Sequence, residues 1–226
     1  MQLNPIKLIT RYFDKKKEIQ QFKKLSAEEV FTQIYHTNKW GDEESRSGKG
    51  SNLERTVELR VRLPEILASL NADSIIDIPC GDFHWMKEMS LPVKTYIGAD
   101  IVKPLVEENN RLYGNAARRF VQLDLLQDVL PQSDVVFCRE CLVHLSFKDI
   151  FKAIENIKSS GSSFLMVTQF PQIKQNKDIV TGKHRSLNMT LEPFNWPQPS
   201  IELVEYHAGD RRGNKCLSVW KIAELP

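Results

Sequence analysis

Three acidic residues of the sequence each end an apolar segment, where a carboxylate could meet a ligand. They are Asp77, Asp100 and Asp124. An acid at the end of a second strand can accept hydrogen bonds from both hydroxyls of a ribose. An acid after a third strand can accept one from an exocyclic amine such as that of adenine. Gly81, in the turn after the first segment, lets the backbone approach a ligand closely. The ordered set predicts a site for a ligand that carries a ribose and an adenine-like base.

A parallel sheet would bring these acids together, and the second half of the chain has the pattern of one. Short apolar runs predict strands over 74–79, 95–100, 119–124, 134–138 and 163–169. Helical patterns lie between them, near 83–88, 103–113 and 147–158. Strands that alternate with helices indicate a parallel sheet with helices on both faces, and such sheets bind ligands at the carboxyl ends of their strands. Two further β-like segments, 201–207 and 217–223, flank a predicted hairpin turn over 209–215.

The first 70 residues predict helices and a polar loop. Residues 1–25 are basic and carry an apolar stripe at helical spacing, and Ser26 with Glu29 forms a capping box for a helix to about Tyr35. A loop rich in Gly and Ser follows over 38–51; it fails as a phosphate-binding P-loop because Gly follows Lys49 and no strand precedes it. We predict a lid-like role for this loop, a helix over 53–70 that kinks or restarts at Pro64, and a division into 1–52 and 53–226.

Composition and charge exclude several classes of protein. The chain has 226 residues, enough for one large domain, and its 31 basic and 29 acidic side chains give a net charge of +2, which predicts no nucleic-acid partner. No apolar run approaches the ~20 residues that a membrane span needs, and no secretory signal is evident, so we expect a cytoplasmic protein without membrane insertion. Cys138 and Cys141 have the spacing of half a zinc site, but no second half exists, so we expect neither a metal site nor a disulfide framework.

Taken together, these motifs resemble the class I S-adenosylmethionine-dependent methyltransferases over roughly residues 50–223. The segment from Ile75 to Asp82 is similar to the family's glycine-rich first motif, and Asp100 and Asp124 match its ribose-side and adenine-side acids. Residues 134–145 match its fourth-strand motif. The resemblance implies an α/β fold with a Rossmann-like, doubly wound, seven-stranded mixed sheet, in which the last two segments are antiparallel strands. The whole chain, with its Trp-Gly loop before the core, resembles bacterial methyltransferases associated with surface glycans.

The resemblance implies S-adenosyl-L-methionine as the cofactor and a set of residues that would bind it. These are Trp40, Asp77, Pro79, Cys80, Gly81, Asp82, Asp100, Ile101, Asp124, Leu125 and Arg139. One departure stands out, because Pro79 and Phe83 replace the outer glycines of the first motif and leave only Gly81. Pro79 has no N–H to offer. We therefore expect the turn to reach the cofactor through residues 80–82, with Asp82 facing the cofactor's amino group.

The acceptor of the methyl group should lie near the loop after the fourth strand and the aperiodic segment 170–200. The catalytic candidates are Glu140, His144 and Arg185, and the candidates for substrate binding are Asp178, His184, Asn188 and Trp196. Aromatic side chains together with Arg suit a sugar ring or a phosphorylated group. We expect O-methylation of a glycan, a sugar nucleotide or a small bacterial metabolite. The competing interpretations are that His144 is satisfied by local hydrogen bonds, and that Trp196 only packs the segment onto the core.

Two other classes of function stay open at this point. A nicotinamide-dependent oxidoreductase would share the acid at the second strand, but the Gly-x-Gly-x-x-Gly that binds a pyrophosphate is absent. A non-catalytic binding module could retain the fold with an altered first motif. The basic N-terminal helix is a candidate homodimer contact, against the alternative that it docks on its own domain.

Overall fold

The computed structural model describes residues 5–205 and 215–226, and their main feature is one seven-stranded sheet. The strands are β1 Ser74–Asp77, β2 Thr95–Asp100, β3 Arg118–Gln122, β4 Val135–Cys138, β5 Phe164–Gln169, β6 Ile201–Val204 and β7 Cys216–Lys221. The α-helices are α1 Pro5–Phe22, α2 Ala27–His36, α3 Val57–Ser69, α4 Lys103–Tyr113 and α5 Phe147–Ser159. The predicted strands and the alternation with helices are thereby confirmed.

The strand order is β3-β2-β1-β4-β5-β7-β6, and β1 to β5 are all parallel. The order reverses between β1 and β4, which is where a doubly wound sheet opens a crevice at its carboxyl edge. β7 is antiparallel to both β5 and β6. The expectation of an antiparallel terminal pair is confirmed, and β6 runs in the same direction as β5. The predicted turn between these two strands falls largely on residues 206–214, outside the described residues.

The sheet is apolar on both faces because helices cover both. Successive residues of β1 point to opposite sides, so Ile75 packs in the cluster under α3 while Ile76 packs in the cluster under α5. Ser146 caps α5 by accepting a hydrogen bond from the N–H of Asp149 at 3.2 Å, as the sequence predicts. Buried strands of this kind hold the strand ends rigidly and so position the side chains that follow them.

Two local predictions were wrong. The helix predicted over 83–88 is only a single 3₁₀ turn, Met86–Glu88, because Phe83 has a left-handed backbone (φ 55°) and lies in an aromatic cluster with Tyr96 and Phe120. Pro64 does not interrupt α3, which is one helix across it. Buried leucines precede and follow this proline and hold both halves of the helix on the sheet.

The N-terminal helices pack against the aperiodic segment 170–200. The capping box of Ser26 and Glu29 is present at the start of α2. Phe22 and Val30 are buried against Gly182, where an added Cβ would come within 2.3 Å of Val30 and 2.9 Å of Phe22. Through these contacts the helix pair packs on its own chain.

Candidate active site

A cavity of about 500 Å³ lies at the carboxyl edge of the sheet, at the strand-order reversal. Its walls come from the ends of β1, β2 and β4, from α2, and from the loop over residues 38–51. We call the whole of this loop, residues 38–51, the lid loop. All eleven residues implied at the cofactor site line it, together with Glu140, His144 and His184. The crevice therefore lies where the sheet topology predicts it.

Asp100 is buried at the end of β2, and its carboxylate is oriented by the backbone. Its Oδ2 accepts a hydrogen bond from the N–H of Gly81 at 3.1 Å, and its Oδ1 accepts one from Val102 at 3.0 Å. Burial raises its pKa to about 6, and no Lys or Arg of residues 13–205 and 215–226 forms a salt bridge with it. Each oxygen keeps further acceptor capacity. This carboxylate fits neutral donors such as the two hydroxyls of a ribose.

Gly81 makes this arrangement possible through its left-handed backbone, with φ of 57°. A Cβ at this position would lie 2.2 Å from the Oγ of Ser47 in the lid loop. The carbonyl of Gly81 accepts a hydrogen bond from the Nδ2 of Asn109 at 2.8 Å, which ties the turn to α4. The turn after β1 is thus held between the lid loop and α4.

Asp77 has a structural environment that differs from that of Asp100. The hydroxyl of Tyr96 donates to its carboxyl at 2.5 Å, and burial raises the pKa of Asp77 to about 8 despite that hydrogen bond. At neutral pH the group is therefore mostly protonated, and it supports the turn as a neutral partner.

The adenine-side residues lie on the neighbouring part of the cavity wall. Asp124 follows β3 and accepts hydrogen bonds from the N–H of Leu126 at 2.8 Å and from Gln127 at 2.6 Å. Leu125 is buried, and Ile101 is half-buried after β2. Two apolar side chains beside a carboxylate form a wall suited to a flat base with an amino group.

The carboxylate of Asp82 does not stand free toward the cavity, because the lid loop occupies it. It accepts hydrogen bonds from the hydroxyl of Ser45 at 2.9 Å, from the N–H of Arg46 at 2.8 Å and from the hydroxyl of Ser47 at 3.1 Å. We expected Asp82 to face the cofactor's amino group. In the structure its carboxylate instead holds the lid loop over the turn after β1 by these hydrogen bonds.

His144 lies on the cavity wall within an aromatic group. Its ring centroid is 5.2 Å from those of Trp40 in the lid loop and His184. The Nδ1 lies 2.9 Å from the carbonyl oxygen of Lys183, which can only accept, so Nδ1 carries the proton and Nε2 keeps its lone pair. Burial and then the neighbouring His184 lower the pKa of His144 to about 4. The imidazole is neutral across the physiological range.

Four charged side chains form a buried cluster at one side of the cavity. The cluster consists of Arg139, Glu140, Glu205 and Lys215. Arg139 pairs with Glu205 at 2.6 Å, and Lys215 lies 2.7 Å from Glu140 and 2.8 Å from Glu205. Burial alone would raise the pKa of Glu140, but the Lys215 and Arg139 cations outweigh it and lower that pKa to about 2. Glu140 is thus a permanent negative charge on the cavity wall, at a left-handed backbone position (φ 54°).

Sequence reasoning missed two members of this cluster. Glu205 and Lys215 flank β6 and β7, and Lys215 had been assigned to the end of a turn. The sequence does contain a signal for them, because each is a charged residue directly beside an apolar strand. Such a position places the charge at the end of the strand. Arg139 also donates to the carbonyl of Gly50 at 2.8 Å and so joins this cluster to the lid loop.

Four residues predicted to contact the substrate do not line the cavity. Arg185 donates to the carbonyl of Leu142 at 2.7 Å, and the side chain of Asp178 accepts the N–H of Phe147 at the start of α5. Asn188 is buried in backbone hydrogen bonds within segment 170–200, and Trp196 packs on Trp220 at 5.1 Å. From segment 170–200, the cavity wall receives Phe170 and residues 182–184.

In the part of the chain that the structure describes, no group of three or more His, Cys, Asp or Glu could hold a metal ion. No helix of those same residues is long and apolar enough to cross a membrane.

The sheet order and the cavity at its reversal point define the fold of the class I S-adenosylmethionine-dependent methyltransferases. The chain is similar to magnesium protoporphyrin IX methyltransferase (ChlM) from Synechocystis PCC 6803 with bound SAM, with a TM-score of 0.57 and 13% identity over 87% of this chain and 97% of that one. It is also similar to the methyltransferase domain of bacterial CtHen1, with a TM-score of 0.55 and 14% identity over 75% and 100%. A third similar structure is the N-methyltransferase NodS from Bradyrhizobium japonicum WM9, with a TM-score of 0.54 and 12% identity over 76% and 98%. No protein-family model and no curated protein matches the sequence.

Proposed function

We propose that this protein is an S-adenosylmethionine-dependent methyltransferase that methylates a hydroxyl of a glycan, a sugar nucleotide or a small metabolite. The observation that carries the proposal is the single cavity that joins Gly81, Asp100 and Asp124 on one side to a neutral His144 on the other. Asp100 would hold the ribose and Asp124 the adenine amine of the cofactor, which supplies an electrophilic methyl group when bound. We further propose a cytoplasmic location, a role in glycan biosynthesis, homodimerisation and a division of the chain at residue 52.

In this proposal the protein acts mainly by holding two reactants at attack distance in a cleft that the lid loop closes to water. His144 accepts a hydrogen bond from the acceptor hydroxyl through Nε2. A histidine whose pKa is about 4 is a weak base, so it would orient the hydroxyl and take its proton only as the O–CH₃ bond forms and the donor's S–CH₃ bond breaks, with S-adenosylhomocysteine as the leaving group. Glu140 stays ionised at the cavity wall, held there by its ion pair with Lys215.

The first experiment is a thermal-shift titration with S-adenosylhomocysteine, beside NAD and beside Asp100→Ala. A ligand at 100 times its dissociation constant adds about 2.7 kcal/mol of stability, or roughly 5–10 °C for a domain of this size. A shift with S-adenosylhomocysteine that Asp100→Ala abolishes supports the proposal. A shift with NAD alone would favour an oxidoreductase, and binding without methyl transfer to any acceptor would favour a non-catalytic module.

The role of His144 is tested with His144→Gln in a methyl-transfer assay. We expect kcat to fall by about 10²–10⁴-fold while the affinity for S-adenosylhomocysteine changes much less, because Asp100 and Asp124, which would hold the cofactor, follow β2 and β3. His36→Gln is the matched control, since His36 is an exposed residue of α2 outside the cavity. A kcat within threefold of the parent would remove His144 from the mechanism.

A further inference from the structure

The lid loop carries basic side chains that line the cavity and acidic side chains that do not. Arg46 and Lys49 line the cavity, whereas the three consecutive acids of the same loop, 42–44, do not. These acids border a second, shallow depression, which Arg46 also lines. The side chain of Asp42 accepts hydrogen bonds from the backbone of its own loop, and Glu44 accepts the N–H of Leu53 at 3.0 Å. The lid loop thus presents its positive charge to the cavity.

Each of four other cations on the cavity wall has a carboxylate partner, although Lys39 and Lys183 share one. Lys39 and Lys183 both pair with Glu18 of α1. The two cations of the buried cluster pair with its two glutamates. These four side chains therefore have their counter-charges within the protein.

Arg46, Lys49 and Arg55 differ from them. None of the three forms a salt bridge with a carboxylate of the described residues, and all three line the cavity. The guanidinium of Arg46 lies over the ring of Tyr35, 5.4 Å from its centroid, so its position is set by a neutral partner. The cofactor would bring one carboxylate, which needs no more than one of the three cations, so two remain on the cavity wall for another anion.

We propose that Arg46 and Lys49 bind a phosphate group of the methyl acceptor, so that the enzyme acts on a phosphorylated sugar or a sugar nucleotide. This rests on the proposed methyltransferase function and specifies its substrate class. A planar guanidinium engages two phosphate oxygens at once, and a flexible ammonium adds a compact charge, which together match a dianion better than a neutral sugar.

The lid loop also connects this phosphate site to the proposed base. Trp40 belongs to the same loop and packs against the ring of His144. A phosphate held by Arg46 and Lys49 therefore anchors the acceptor to the element that borders the imidazole. The phosphate would orient the acceptor, and the hydroxyl to be methylated would lie toward His144.

The test measures binding to the full-length protein by calorimetry, with S-adenosylhomocysteine first and inorganic pyrophosphate second. We expect pyrophosphate to bind the complex with S-adenosylhomocysteine and the double variant Arg46→Ala/Lys49→Ala to weaken it at least about tenfold. The affinity of the same variant for S-adenosylhomocysteine should fall by a smaller factor than its affinity for pyrophosphate, because Arg55 remains for the cofactor's carboxylate. Lys152→Ala is the matched control, because Lys152 is an exposed lysine of α5 away from the cavity, and it should change neither affinity.

Three sugar probes then identify the source of the phosphate. Glucose 6-phosphate and UDP-glucose should each bind more tightly than glucose, and the tighter of the two indicates a sugar phosphate or a sugar nucleotide. Equal binding of glucose, no binding of pyrophosphate, or equal pyrophosphate binding by the parent and the double variant would each overturn the proposal. Absence of S-adenosylhomocysteine binding by the parent would instead overturn the proposed methyltransferase function, so the two failures are distinguishable.

Discussion

Replacing Asp100 by Asn should separate cofactor binding from stability. The carboxylate is buried, and that burial raises its pKa from the ordinary 3.8 to about 6. Between these two values the folded state binds more protons than the unfolded state, so stability falls as the pH rises through that window. The rise corresponds to roughly 3 kcal/mol against folding at pH 7, a cost that the uncharged Asp100→Asn side chain avoids.

The same substitution also removes favourable contacts. The NH₂ group of the new amide side chain must face the N–H of Gly81 or of Val102, and two donors cannot form a hydrogen bond. Loss of that hydrogen bond lowers the unfolding free energy by about 1–3 kcal/mol. The two effects offset, so we expect the unfolding free energy of the ligand-free protein to change by no more than about 2 kcal/mol. A bound ribose would lose one charge-assisted hydrogen bond to Asp100 and keep a second, weaker one to the neutral side chain. The binding free energy should therefore become less favourable by about 3 kcal/mol in total. The affinity for S-adenosylhomocysteine should therefore fall at least about 100-fold.

The assay combines calorimetry with S-adenosylhomocysteine and denaturant unfolding of the ligand-free protein. Asp134→Asn is the matched control, because Asp134 lies at the opposite end of the sheet, where its Oδ2 accepts the N–H of Ser74 at 2.8 Å. It should lose stability and keep its ligand affinity. Affinity of Asp100→Asn within about threefold of the parent would refute the assigned ribose contact, and a large loss of stability would refute the electrostatic argument.

Three further predictions concern pH, the turn after β1 and the buried cluster. As the pH falls below about 6, the KM for S-adenosylmethionine should rise because Asp100 becomes protonated. The kcat should stay constant down to about pH 5 because the pKa of His144 is about 4. A pH profile in which kcat has a midpoint near 6.5 would contradict this prediction. Gly81→Ala, with a Cβ 2.2 Å from Ser47 at a left-handed position, should lower stability by at least about 1 kcal/mol and weaken S-adenosylhomocysteine, and an unchanged melting curve and affinity would count against the lid contact. Lys215→Gln leaves two buried carboxylates with one cation and should cost about 3 kcal/mol, and a Tm within about 2 °C of the parent by calorimetry would show that the cluster is not needed.

Much of the fold is predictable because its signals are local. The short apolar runs of β1 to β5 and the capped, amphipathic α5 each follow from a few neighbouring residues. The direction of β6 could not be predicted in this way, because it depends on β7 inserting between β5 and β6. The helix predicted from residue 83 does not form because the buried ring of Phe83 packs on β2 and β3. This packing stabilises a left-handed backbone that local propensity disfavours.

The site was predictable only where a strand carries the residue to the cavity. Asp100 and Asp124 reach it because strand ends converge whatever the loops do. Arg185 and Trp196 were chosen by residue type within an aperiodic segment, where sequence does not indicate which side chains face inward. Lys215 was missed because its role depends on pairing with Glu140, 75 positions away.

The link between the lid loop and the last strand has a consequence for synthesis of the chain. Arg139 donates to the carbonyl of Gly50, 89 positions earlier, and Lys215 immediately precedes β7. As the ribosome extends the chain, the first five strands can pair and the lid loop can approach the turn after β1. The wall that holds the loop from the other side is incomplete until β7 has inserted between β5 and β6. In a growing chain the buried cluster beside the lid loop is therefore completed last, when Lys215 joins Glu140 and Glu205 as β7 enters the sheet.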